Sequence, residues 1–248
     1  MKHVTHLHKD SSRRSGFTLV ELLVVVAIIA VLAALLAAAT LRMLTVPPEI
    51  ATKTTIQKLG QTLNQQWKAV IDQARNEGVS ATAAGAIPPA IWQALLQQAG
   101  GDNSAAQDLW VQLRLQQEFP QTFAQALQPP GGLPPKPVFA VLQGVQPPSN
   151  SVHNQERQTA VLLYLIVTAA RRGMNFDPEA NLTVKEKATV NGFTYITDGW
   201  GEPIHFSNLD PSDPNQKALL PWVISYGGNF VPGGGDDVSS ATLRFGGN

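Results

Sequence analysis

The residue whose chemistry most needs explaining is Glu21. From Leu19 to Ala39 the chain reads "LVELLVVVAIIAVLAALLAAA", and every residue except that acid is apolar. At ~1.5 Å rise per residue such a helix spans ~30 Å, the thickness of a bilayer core. A charge at the middle of a membrane helix costs on the order of 3 kcal/mol, and less near an end. Glu21 therefore either snorkels to the head groups or meets a partner cation. The other acids in suggestive settings are Asp198, in "TDGWGEPIHF", and the pair Asp236 and Asp237, which closes a glycine-rich run. His153 and His205 stand alone, as surface or satisfied histidines usually do. No nucleophile elbow, phosphate loop, His-Glu-x-x-His or dinucleotide fingerprint occurs, so no enzyme is expected.

Composition narrows the classes further. The chain has 248 residues, enough for one large or two small cores. Its 18 bases balance its 18 acids, but Lys2, Lys9, Arg13 and Arg14 stand against Asp10 alone in the first sixteen residues. Without them the remainder holds 14 bases and 17 acids, a net of about −3, and phosphate affinity comes from clustered bases. Nucleic acid is not an expected partner. There is no cysteine, hence neither a disulfide nor a thiolate metal site. Bases precede the apolar run and only Arg42 follows closely, which places the N-terminus in the cytoplasm and the rest across a single membrane span. An ordinary secretory signal cut near Ala37, Ala38 and Ala39 is the competing reading, although the apolar run is longer than such signals need.

The elements that must position these residues follow from periodicity. Ala51 to Glu77 repeats Ile56, Leu59, Leu63, Trp67, Val70, Ile71 and Ala74 at spacings of three and four, an amphipathic helix closed by Gly78. Helices are predicted over Pro88 to Ala99 and over Ser104 to Leu127, the latter interrupted by Pro120. Gln128 to Ser149 is a proline- and glycine-rich connector, extended or irregular. Gln155 to Arg172 is a buried helix too short to span a bilayer. "LTVKEKATV" and "FTYIT" flank Asn191-Gly192, a strong hairpin signal, and Ile204 to Phe206 and Trp222 to Tyr226 add two short strands. Helices first and antiparallel strands last give an α+β class.

"RRSGFTLVELLVVVAIIA" resembles the type IV prepilin and pseudopilin family. The resemblance implies a leader over residues 1–16, a cut after Gly16 by a prepilin peptidase, and methylation of Phe17 as the new N-terminus. Glu21 is then the fifth mature residue. Cutting creates an α-amine with a pKa near ~8, and the family likeness pairs that cation with Glu21 of a neighbouring subunit. The implied layout is a transmembrane and assembly helix over 17–46, its amphipathic outer half over 47–78, a helical and proline-rich middle over 79–180, and an antiparallel sheet with a C-terminal loop over 181–248. Many members kink this helix with a proline where this chain has Ala38, so the helix is expected to run straighter or to break at Val46, before Pro47 and Pro48. The middle is larger than the family's small head usually holds. His3, His6 and His8 fall in the leader and cannot serve the mature protein.

Two further stretches carry the likeness toward the major pseudopilin of type II secretion. Asp198, Trp200, Gly201 and Pro203 match its Asp-x-Trp-Gly-x-Pro segment, with a structural role. "ISYGGNFVPGGGDDVSSATLRF" resembles its calcium loop: calcium takes six to eight hard oxygens, and Asn229, Asp236, Asp237 and backbone carbonyls could supply them. Asn229 stands where an acid is expected and Phe230 replaces a glycine, and a plain acidic turn explains the same residues. The implied protein is a filament subunit in the inner membrane with a periplasmic head. Its partners would be copies of itself, other pseudopilins, the prepilin peptidase and the secretion assembly platform. The alternatives are a type IV pilus subunit, or a membrane-anchored periplasmic binding module or enzyme.

Overall fold

Helix α1 (Leu19–Leu44) opens on a reciprocal cap. Thr18 Oγ1 accepts from the Glu21 N–H at 3.2 Å, while the Thr18 N–H donates to Glu21 Oε2 at 2.9 Å. This Thr-x-x-Glu box satisfies orphan donors at the first turn. It belongs to a computed structural model describing residues 18–44, 47–83, 85–147, 153–169, 177–183, 186–190, 192–210 and 213–245. The chain divides into two units, one ending at Val46 and the other starting at Pro47. Among the described residues α1 is the one helix long and apolar enough to cross a membrane. Its large apolar side chains are exposed on every side, as in Leu22 and Ile29. A helix apolar all round seeks lipid or other helices rather than water.

Pro47, with ψ 136°, is extended, and Pro48 occupies the first helical position of α2 (Pro48–Asn76), where its missing N–H costs nothing. Val46, where a break is expected, lies outside the described residues. One face of α2 carries Ile56, Leu59, Leu63, Trp67 and Val70 into the main core, all at most 5% exposed. They meet Leu162, Leu163 and Ile166 of α6 (Asn154–Thr168), Phe119, Phe139 and the strand residues Ile196, Ile204, Phe206 and Val223.

The middle of the chain forms a second core. Helix α3 (Pro89–Gln98) starts on Pro88-Pro89, and α4 (Asn103–Glu118) is capped by the Asp102 carboxylate, which accepts from Ser104 N at 2.7 Å. Trp110, Ile87, Leu95, Val111 and Leu133 fill the space between them and the end of α2. The break expected at Pro120 begins one residue earlier, at Phe119, and a short α5 (Phe123–Leu127) follows. The connector is not wholly irregular, since Pro130–Gly132 and Pro137–Leu142 are 3-10 turns. A buried network ties these parts together. Arg114 bridges Glu77 at 3.2 Å and Glu118 at 3.5 Å, Lys136 pairs with Glu118, and Trp110 Nε1 donates to Glu77 at 2.9 Å. Two acids and two bases cancel, so their burial leaves no net charge.

Beyond a short α7 (Pro178–Asn181), β1 (Lys187–Val190) and β2 (Phe193–Ile196) pair antiparallel through Val190 and Phe193, with Gly192 at φ 81° in the turn. A second antiparallel sheet orders β3 (His205–Asp210), β4 (Asp213–Ser225) and β5 (Val238–Ser239), and α8 (Ser240–Phe245) ends the described chain. Ile204 N donates to Ile196 O at 2.8 Å and links the two sheets. The layout is α+β and pilin-like: an apolar N-terminal helix, several helices, then antiparallel sheets. Strand bounds differ from the sequence reading, and Thr197 and Ile204 fall just outside β2 and β3. Strand β1 starts at Lys187 rather than Leu182, the β3–β4 hairpin reaches Asp210 and Asp213, and Tyr226 lies outside the strand.

Candidate functional site

The two glycine-rich stretches lie against each other. Asp198, 2% exposed, is the hub of the first. Its Oδ1 accepts from Trp200 N and Glu202 N, both at 2.9 Å, and its Oδ2 accepts from Ser225 Oγ at 2.6 Å. Gly201 N donates to the Asp198 carbonyl at 3.1 Å, and Gly201 takes φ 93°, where a side chain would be strained. Pro203 forms a bridge with Thr197 and closes the turn. Burial pushes the Asp198 carboxyl above the ordinary 3.8, against the hydrogen bonds from Ser225 and the loop amides. Gly199 seats the loop on α2: its N–H donates to Thr52 Oγ1 at 2.8 Å, and any Cβ there would overlap the Pro48 backbone. Trp200 lies on the second loop, its ring within 2.9 Å of where a Cβ on Gly228 would stand.

Ser225 links the two loops, since its Oγ also accepts from Gly227 N at 3.1 Å. Each acid of the second loop spends one oxygen on the loop itself. Asp236 Oδ2 accepts from Gly228 N at 2.9 Å and Asp237 Oδ2 from Gly233 N at 2.7 Å. Their Oδ1 atoms converge over Gly234. The point where a Cβ would stand there is 2.7 Å from Asp236 Oδ1, 3.3 Å from Asp237 Oδ1 and 3.2 Å from Asn229 Nδ2. Asp237 Oδ1 is buried and has no hydrogen-bond partner. Two adjacent carboxylate oxygens, one of them orphaned, over a glycine that leaves the space open are a donor set suited to a hard cation. Asn229 turns its amide nitrogen to this point, because its Oδ1 accepts from Val231 N at 2.9 Å. The amide must rotate to add an oxygen. Among the described residues no group of three or more His, Cys, Asp or Glu exists, so backbone carbonyls would complete any coordination.

Beside the acidic loop is an aromatic group that the sequence reading did not assemble. His205 packs edge-on against Tyr226 at 4.6 Å, and Phe230 packs against His153 at 5.0 Å. Burial drives His205 down to about 3, with nearby His153 adding to the depression. The imidazole is thus neutral in the fold, and stability tied to it is complete above pH 6.5 and lost as pH falls toward 3. In urea titrations, His205→Phe is expected to flatten that acid-side slope.

At the other end of the chain, Gly16 and Phe17 lie outside the described residues. Glu21 is described, and Thr18 is its hydrogen-bond partner among them. The Thr-x-x-Glu spacing is the sequence signal for this cap. Ser225, which joins the two loops, carries no sequence signal.

Residues 11–37 match the family model described as the prokaryotic N-terminal methylation motif. No curated protein and no solved structure matches the chain. The motif holds Gly16, Phe17 and Glu21 and ends at Ala37, so it bears on the processed anchor and not on the head. It supports a type IV pilin-like subunit that a prepilin peptidase processes, that its apolar helix anchors in a membrane, and that assembles into filaments with pilin-like subunits.

Proposed function

We propose that the protein is a structural subunit of a type II secretion pseudopilus. The observation that carries this reading is Glu21, an acid in the first helical turn of the otherwise apolar run from Leu19 to Ala39, inside a methylation motif and four residues from Phe17. Cutting after Gly16 frees the Phe17 amine at the lipid edge, and the Thr18 cap holds the Glu21 carboxylate at that level. Glu21 of an entering subunit neutralises the amine of its neighbour, and in low dielectric such a pair fixes register. Contacts of this head-to-tail kind do not close on themselves and so extend a filament. The apolar face of α1 then forms the filament core, with copies of this chain and other pseudopilins as neighbours. The helix spans the inner membrane with its N-terminus in the cytoplasm, at the assembly platform, and the head faces the periplasm. No bond chemistry is assigned to the head.

The secretion reading, rather than a pilus, rests on the Asp198–Pro203 turn and the acidic loop being packed as one unit. On this reading Asp236 and Asp237, joined by Asn229 and loop carbonyls, hold a calcium ion. The ion supplies the positive charge that the paired carboxylates need and pins a loop that no disulfide braces. Deletion of the gene separates the two filament systems. Folded exoproteins trapped in the periplasm, with surface motility and adhesion intact, support the pseudopilus; normal secretion with lost motility makes it a pilus subunit.

A further inference from the structure

We propose that helix α6 belongs to the acidic loop's working parts, with Phe230 as the positioning residue that fastens the loop to it. The inference rests on the cation reading of Asp236 and Asp237. Phe230 is the one non-glycine among the described residues with positive φ, at φ 49° and ψ 38°. Side chains avoid that region, and a residue stays there only where its surroundings hold it. Here the ring does the holding. It is buried to 7% exposure, stands edge-on to His153 at 5.0 Å, and lies under the Arg157 guanidinium at 5.6 Å. Both partners come from the start of α6.

Phe230 directly follows Asn229 and precedes Val231, whose N–H is bonded to the Asn229 side chain. One residue before Asn229, Gly228 N is held by Asp236. The short segment Gly228 to Val231 is therefore gripped from two directions, by Asp236 within the loop and by α6 outside it. A glycine at 230 would adopt the same backbone freely but would have nothing to grip. The identity of this residue thus sets how much of the loop population is shaped for a cation before one arrives, and a site shaped only part of the time binds more weakly by that fraction.

The test is calcium titration of the full chain in detergent, with hydrogen exchange read at residues 154–160. For the wild type, calcium is expected to bind and to slow exchange in α6. Phe230→Gly is expected to bind at least about tenfold more weakly, with no calcium effect on α6. His153→Ala, which leaves the loop sequence untouched, shifts the same way by less, and Phe230→Leu recovers most of the affinity. Equal or tighter binding by Phe230→Gly, or a calcium effect confined to the loop in the wild type, overturns the proposal. Absence of calcium binding by the wild type removes the cation reading and this inference together; that failure shows before any variant is made.

Discussion

Glu21→Gln is expected to enter the membrane, to be cut after Gly16, and to leave no filaments. On the proposed pairing, Glu21 has two tasks that the variant separates. Within its own helix it completes the box with Thr18, at 2.9 Å from the Thr18 N–H, and glutamine fills that role as well as glutamate. Between subunits only the charged carboxylate can neutralise the Phe17 amine. Removing one member of a charge pair in low dielectric costs about 3–5 kcal/mol, which at about 1.4 kcal/mol per factor of ten lowers assembly at least a hundredfold. Glu21→Ala loses the cap too, a further cost of about 1 kcal/mol. Sheared filaments counted by electron microscopy, with membrane-fraction processing as the control, decide the matter. Filaments from Glu21→Gln but not from Glu21→Ala would reduce Glu21 to a helix cap.

The largest effect expected in the head is that of Asp198→Ala. The substitution strands the buried Ser225 hydroxyl and the part-buried Trp200 and Glu202 N–H groups. Each stranded group costs about 1–3 kcal/mol, so a total near 4 kcal/mol is expected, a large share of an ordinary domain's stability. Asp198→Asn keeps an acceptor for both amides and a donor for Ser225, and is expected to cost about 1 kcal/mol. The sign of the pH effect separates charge from shape. The folded pKa is raised above 3.8, so this residue's stabilising share is complete below 3.8 and lost as pH climbs through the raised value. His205 works in the opposite sense across an overlapping range. The wild-type minus Asp198→Asn difference in urea midpoints isolates the carboxyl: the wild type should lose ground on the variant as pH rises above 3.8. A difference independent of pH contradicts the raised value.

Much of this layout was legible because burial and period coincide. The α2 face from Ile56 to Ala74 is buried as its spacing requires, and the strands on either side of the predicted turn do pair, with Gly192 in the left-handed region. The strand bounds were less legible, for local reasons. In "LTVKEKATV", Thr183 N and Oγ1 both donate to Glu186 Oε2, a turn that competes with extension, and Glu186 also accepts from Thr55 of α2. "DPNQKALLP" carries two prolines and reads as a loop, yet it is strand because it pairs with β3, as Leu209 with Lys217. The union of the two glycine-rich loops could not be read at all. It rests on Ser225 and Gly228, residues with no distinctive pattern, brought together by the tertiary fold. At Phe230 the sequence shows only a departure from glycine, and the left-handed backbone there explains why glycine is the expectation.

The central claim is that Glu21 faces an amine made by proteolysis. Intact-mass and N-terminal fragment spectra of the protein purified from native membranes test it most directly. The account predicts a chain that begins at Phe17 and carries one added methyl on its nitrogen. A chain that begins at Met1, or at Thr40 after loss of the apolar helix, contradicts it.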